Sequence, residues 1–341
     1  MSIVASSPDL LRDLTARTAA AVRGWVPGAT VDGVEPLTGG TSSLTFVAAL
    51  SGAPAEYERV VLKVAPPGLA PVRNRDVLRQ ARIMRVLAGQ HGVRVPAVLF
   101  SDVGAPPETS PFVAMELVPG ECVEPVLTPR GTVPAGQVRA RALEAARMLA
   151  DLHRVDPLRT ALAAEPVMSL GAEIDRWTRA FTTVSEDLRT GYAAVADRLH
   201  ATMPAATAPV FTHGDYRLGN TLCEGERVTS IIDWEIWSLG DPRIDVTWLG
   251  FFTDEARHPA SLSDEPTGMP GKAELVDAYQ EARGAALRDL PWFEALTKYK
   301  ESAATALLIK RGRKAGTLTE MHRRMLPALP MLLAEAMALL G

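Results

Sequence analysis

The run 211–242, FTHGDYRLGNTLCEGERVTSIIDWEIWSLGDP, gathers His213, Asp215, Asn220, Asp233, Glu235 and Asp241 among short apolar stretches. Asn220 and Asp233 offer one neutral and one anionic hard oxygen. Those donors suit Mg²⁺, which takes few protein ligands and completes its shell with phosphate and water. Zinc would call for more nitrogen or sulfur. Asp215 lies five residues before Asn220, so it can share a loop face with it and accept a proton there. A metal site, a phosphate site and ordinary turns all fit these residues taken alone.

Such loops need anchors. The apolar VF before HGD and SII before Asp233 read as short strands. Upstream, TVDGVEPL, SLTFVAAL, ERVVLKVA and PFVAMELV read as four strands, and RDVLRQARIMRVLAGQHG reads as a helix closed by Gly89 or Gly92. Residues 8–24 form a leading helix. Beyond Pro119 and Gly120 the apolar spacing turns helical, as in AGQVRARALEAARMLADLHRV and LTEMHRRMLPALPMLLAEAMALL. The expected class is α+β with two lobes. Residues 1–118 form a small antiparallel sheet carrying one helix, and residues 119–341 form a larger, mainly helical lobe.

With 341 residues, 47% of them hydrophobic, the chain can bury one large core or two modest ones. Its 36 basic and 40 acidic residues leave a formal charge of −4, with no cationic field to recommend nucleic acid or an anionic membrane. Cys122 and Cys223 are too few for a disulfide framework. The start MSIVASSPDLLRDL lacks a signal-peptide pattern, and the late run MLPALPMLLAEAMALL is broken by Pro330 and Glu335. The expected setting is cytoplasmic, with small molecules or proteins as partners.

HGDYRLGN, followed thirteen residues after its Asn by the Asp of IIDWE, resembles the catalytic loop and metal-binding motif of the aminoglycoside phosphotransferase family. These are small-molecule kinases that share the protein-kinase fold, and the resemblance runs from about Thr38 to Trp248. The SLGDP variant is most similar to phosphotransferase-like domains that also occur fused to acyl-CoA dehydrogenases. The resemblance implies ATP and Mg²⁺ as cofactors. It makes Asp215 the base for the acceptor hydroxyl, Asn220 and Asp233 the metal ligands, Arg217 a stabiliser of the transferring group, and His213 a residue that orients the loop. It also implies that Lys63, the lone cation of RVVLKVAPP, pairs the α- and β-phosphates. In LTGGTSSLTFVA, Gly39, Gly40, Thr41, Ser42 and Ser43 would cover the phosphates. Met115 would end the hinge strand, with the backbone of Glu116 and Val118 reading adenine. One position departs: where the family carries a glutamate to pair the lysine, this chain has Gln80, with Asp76 one turn earlier as a substitute.

About ten residues separate Asp233 from the helix expected near Arg243, too few for a peptide-binding segment, so the expected acceptor is a small-molecule hydroxyl. Asp241 is expected to cap that helix, and Asp245 to suit its dipole. Trp177, Trp234, Trp237, Trp248 and Trp292 are expected in the helical lobe, with Trp237 near enough to line the site. Asp254, Glu255, Asp264 and Glu265 could instead serve an aminocyclitol, and the basic run Lys310 to Lys314 reads as a solvated helix end. Two other functions remain open: a nucleotide-binding regulator, motivated by Gln80, and a metal-dependent phosphoesterase using His213, Asp215 and Asp233.

Overall fold

The computed structural model describes residues 8–37 and 44–341. The chain divides into two compact units. One comprises the residues up to Gly120 together with Thr229–Trp237; the other comprises Glu121–Val228 and Ser238–Gly341.

In the first unit, helix α1 (Pro8–Trp25) leads into a five-stranded antiparallel sheet of order β1-β2-β3-β5-β4. Its strands are β1 (Thr30–Pro36), β2 (Leu44–Ser51), β3 (Arg59–Val64), β4 (Val98–Asp102) and β5 (Phe112–Glu116). Successive side chains on a strand face opposite ways, and the centre of this sheet is covered on both faces. Leu62 and Phe112 join Leu14 and Val22 of α1 in one apolar cluster. Val113, one residue further along β5, packs with Val77 and Ala81 of helix α2 (Val77–Leu87) in another. Arg17 of α1 holds the edge strand β4, its Nε donating to Asp102 at 2.9 Å and its Nη2 to the Ser110 carbonyl at 2.8 Å. Strand β4 is a fifth strand where the sequence suggests four. It is a five-residue edge segment following Pro96, too short for its alternation to separate it from loop.

The second unit is mainly helical: α3 (Ala135–Arg154), α4 (Leu170–Thr182), α5 (Tyr192–Ala201), α6 (Arg243–Phe251), α7 (Lys272–Arg283), α8 (Leu290–Ala315), α9 (Glu320–Met325) and α10 (Ala328–Leu340). Its core joins Ile174, Phe181, Phe293, Tyr299 and Leu333 among others. The terminal segment, read as one helix, is two. Pro327, which has no amide proton to continue α9, is the N-cap of α10. Strands β6 (Val210–Thr212) and β9 (Ser238–Gly240) pair antiparallel. Strands β7 (Thr221–Glu224) and β8 (Arg227–Ile231) form a separate ribbon. Trp234 and Trp237 fall in the first unit and not with the helices: the segment after β8 packs its short 3₁₀ turn, Trp234–Ile236, beside α2. Among the described residues no helix is long and apolar enough to cross a membrane.

Candidate active site

Strand β6 is buried along its length and delivers the chain into the loop 213–220. Gly214 turns that loop at φ 84°, a left-handed angle that glycine adopts without strain. His213 is fully buried, and its Nδ1 accepts the Asp215 amide at 3.2 Å. The loop is strapped from beneath by Asp245 of α6, whose carboxylate accepts the amides of His213 (2.6 Å) and Gly214 (2.8 Å). His153 of α3 lies 3.4 Å from the same carboxylate through Nε2, while its Nδ1 meets the Tyr279 hydroxyl at 2.8 Å. Burial pushes the Tyr279 hydroxyl above its usual range, so it keeps its proton. With the Asp245 carboxylate facing Nε2, that nitrogen carries the ring proton, so His153 Nδ1 accepts from the Tyr279 hydroxyl. Burial opposes the Asp245 charge, but its hydrogen bonds from His153 and the loop hold it below the usual carboxylate range.

Asp215 is a carboxylate gripped on both oxygens. Oδ1 accepts Trp248 Nε1 at 2.6 Å and faces Arg217 Nε at 3.3 Å. Oδ2 accepts Asn220 Nδ2 at 2.8 Å, and the same amide group donates to the Asp215 carbonyl at 2.8 Å. Arg217 Nη1 also lies 3.4 Å from Glu124 Oε2, which accepts the Gly219 amide at 2.9 Å. Burial lowers the affinity of Arg217 for its proton, but the Asp215 and Glu124 charges outweigh this and hold it above the usual arginine value. Burial raises Glu124 to about 6, with Arg217 opposing. A carboxylate has about four lone-pair sites, so an oxygen that accepts Trp248 or Asn220 can still take a proton from a hydroxyl.

In the first unit, Lys63 Nζ lies 2.7 Å from Asp233 Oδ1, and Asp233 adopts φ 64°, a left-handed angle that Asp tolerates better than most residues. Gln80 is buried and its amide donates to the Asn74 carbonyl at 3.3 Å. Asp76 caps α2 by accepting the Arg79 amide at 2.9 Å. Lys63 therefore pairs with Asp233, and neither Gln80 nor Asp76 is the partner the structure gives it. Met115 and Glu116 end β5, and the Glu116 amide is donated to the Ala97 carbonyl at 2.8 Å. Any adenine contact by Glu116 would fall to its carbonyl, and Val118 lies just beyond in the loop. Gly39, Gly40, Thr41, Ser42 and Ser43 lie outside the described residues.

Each candidate ligand suits Mg²⁺ by its own chemistry. In the second unit Asn220 has its Nδ2 committed to Asp215, which leaves the amide oxygen for a cation, and in the first unit Asp233 offers an anionic oxygen. Trp237 is buried in the first unit, with the Arg79 guanidinium 3.8 Å from its ring centroid. Asp254 and Glu255 accept the amides of Thr267 and Lys272, which stitches their own loop together. Lys310 and Arg313 donate to Thr183 and Asp187.

A model described as the phosphotransferase enzyme family matches residues 33–296. The chain belongs to the phosphotransferase enzyme family. Among solved structures, a candidate aminoglycoside phosphotransferase from Ralstonia eutropha JMP134 superimposes with a TM-score of 0.75 at 23% identity, covering 95% of this chain and 98% of that one. The GDP complex of aminoglycoside 2′-phosphotransferase-IIIa gives 0.61 at 18% identity, with 94% and 98% covered. The phosphotransferase fold is thereby shared. Among curated relatives, acyl-CoA dehydrogenase family member 10 of Mus musculus is 28% identical over 196 residues, which is 56% of this chain and 18% of the relative. Family member 11 of Pongo abelii is 24% identical over 259 residues, 72% of this chain and 32% of the relative. This phosphotransferase-family chain thus spans less than a third of the length of either.

Three residues that hold Asp215 and its loop are not readable from the motif. Trp248, Glu124 and Asp245 lie 33, 91 and 30 residues from it in sequence, subtracting residue numbers. Asp245 stands in the first turn of α6, as expected, and is also a buried acceptor for the His213 and Gly214 amides. Asp241 does help begin α6, its Oδ1 accepting the Arg243 amide at 3.0 Å, and it also forms a buried ion pair with the Arg243 side chain.

Proposed function

We propose that the protein is an ATP- and Mg²⁺-dependent kinase of small-molecule hydroxyls, with Asp215 as the catalytic base. The observation that carries the reading is the Asp215 carboxylate, oriented by Trp248, Arg217 and Asn220 on a loop strapped by Asp245. In the reaction, an acceptor hydroxyl gives its proton to Asp215 as its oxygen forms a bond to the γ-phosphorus. The bond from that phosphorus to the β,γ-bridging oxygen breaks, and its electron pair leaves with ADP. Arg217 offers guanidinium charge beside the base, where negative charge builds on the transferring group. Lys63 is the residue for the α- and β-phosphates. Asn220 and Asp233 are the ligands for Mg²⁺, which when bound would neutralise charge on the phosphates. Support for the small-molecule acceptor comes from the family and from the short stretch between Asp233 and α6.

The test incubates the protein with ATP, Mg²⁺ and a metabolite extract, and looks by mass spectrometry for ions heavier by one phosphoryl group. Asp215→Ala should lower transfer by about 10²- to 10⁴-fold while nucleotide binding persists. Unchanged transfer in that variant removes Asp215 as the base.

A further inference from the structure

Behind Asp215 lies a buried cation that the proposed chemistry does not use. Lys300 of α8 is 4% exposed, its ammonium stands 3.6 Å from the centroid of the Trp248 ring, and it donates to the Gly214 carbonyl. On the far edge of the same indole, Nε1–H donates to Asp215 Oδ1 at 2.6 Å. A long aliphatic chain with a charged head is costly to bury unless the charge meets a partner. Here the partners are the Gly214 carbonyl and the Trp248 face, at the distance where a cation is drawn to the ring's negative quadrupole, with the Trp177 ring further off at 5.8 Å. A cation on that face pulls electron density from the indole, which makes its N–H more acidic and a stronger donor in a hydrogen bond to an anion.

We infer that Lys300 is a positioning residue for the phosphotransfer base: through the Trp248 ring it strengthens and aims the hydrogen bond that fixes Asp215 Oδ1, and through the Gly214 carbonyl it pins the turn that carries Asp215. Lys300 is buried against the Trp248 ring and the Gly214 carbonyl. Its effect passes through Trp248 and the loop backbone. The same ammonium thus addresses the catalytic loop twice, once by its main chain and once by its acid. Burial pulls the Lys300 pKa down while the Asp215 charge opposes this, as expected of a cation held near the base but not paired to it.

This inference rests on Asp215 as the base, and the experiment separates the two. The chain contains six tryptophans, so indole-¹⁵N labelling yields six Nε1–H resonances, and Trp248→Phe identifies the one of interest. Its proton should lie well downfield, with that of Trp177, whose Nε1 donates to Glu173 Oε1 at 2.7 Å, and apart from the other four. It should move upfield in Asp215→Asn, which removes the carboxylate charge, and also in Lys300→Met, which removes the cation. Lys300→Arg, which keeps a cation for the ring, should restore much of the downfield shift. If Lys300→Met does not fold, Lys300→Gln takes its place, and the Asp215→Asn reading stands independently. A Trp248 resonance lying among the four tryptophans other than Trp177 in the wild type overturns the relay. So does one that stays in place in a folded Lys300 variant lacking the charge. With ATP and Mg²⁺ as probe and water as the phosphoryl acceptor, ADP formation should fall about 10- to 100-fold in Lys300→Met, with less than about threefold change in half-saturating ATP. A drop in turnover without a resonance shift makes Lys300 a packing residue and overturns the inference. A resonance shift accompanied by full transfer in Asp215→Ala keeps the relay but removes the base role.

Discussion

Gly219 sits where the catalytic loop is tightest. A Cβ there would lie 1.9 Å from Arg217 Nη1 and 3.0 Å from Glu124 Cβ, so the methyl group of Gly219→Ala must drive the guanidinium out of its place between Asp215 and Glu124. Misplacing a reacting or stabilising group by about 1 Å can reduce rate about 10²-fold. Gly219→Ala is accordingly expected to cut transfer by one to two orders of magnitude while far-UV circular dichroism stays that of the wild type. Full activity in the folded variant would show that the position of Arg217 is immaterial. At this level the sequence discloses the candidate residues by type, because HGD, Asn220 and Asp233 lie close along the chain. It hides Trp248, Lys300, Glu124 and Asp245, because a lone tryptophan, lysine or acid, on a helix or in a loop, carries no local sign of what it will face after folding.

Helix α8 places Glu301 next to Lys300, and burial raises the Glu301 carboxyl to about 7 from 4.5. Its Oε1 accepts the Thr305 hydroxyl at 2.9 Å and lies 3.8 Å from His258 Nε2. Burial, with the charges of Arg217 and Lys298 behind it, pushes His258 down to about 3, so that ring is neutral and offers Glu301 no counter-charge. A raised carboxyl pKa means that the folded state binds the proton more tightly than the unfolded state. Its contribution to stability is present in full below 4.5 and is lost as pH rises through about 7, on the order of 2 to 3 kcal/mol. Glu301→Gln, neutral throughout, should therefore lose less thermal stability between pH 5 and pH 8 than the wild type. Parallel melting curves across that range would place the Glu301 titration elsewhere. Helices as long as α3 and α8 are legible because apolar residues recur over many turns. Strand β4 and the break at Pro327 are not, since five residues give too little alternation and one proline in an apolar run can sit inside a first turn as well as end a helix. Trp234 and Trp237 were expected among the helices because the flanking sequence is helical, whereas their segment packs on α2 in the sheet-bearing unit.

For the molecule as a whole, nucleotide binding should register as stability. A ligand at about 100 times its Kd adds about 2.7 kcal/mol to the folded state. With an unfolding entropy of about 2.1 cal/mol/K per residue over 341 residues, that corresponds to a rise of about 4 °C in Tm. ATP with Mg²⁺ should produce a shift of this size, and EDTA should remove most of it. No shift at saturating ATP would count against nucleotide binding by any residue named here. The α+β character and the change from strands to helices near residue 120 were both legible, because hydrophobic periodicity changes from two to about 3.6 there. That a distant nine-residue segment, Thr229–Trp237, folds with the sheet was not, since membership of a core depends on contacts far apart in sequence. That segment also governs how the gene can be recombined. A single crossover after Gly120 with a divergent relative would deliver a foreign Lys63 strand while retaining the native Asp233, splitting a salt-bridged pair between two parents. An exchange that keeps them together needs breakpoints on both sides of residues 229–237 as well.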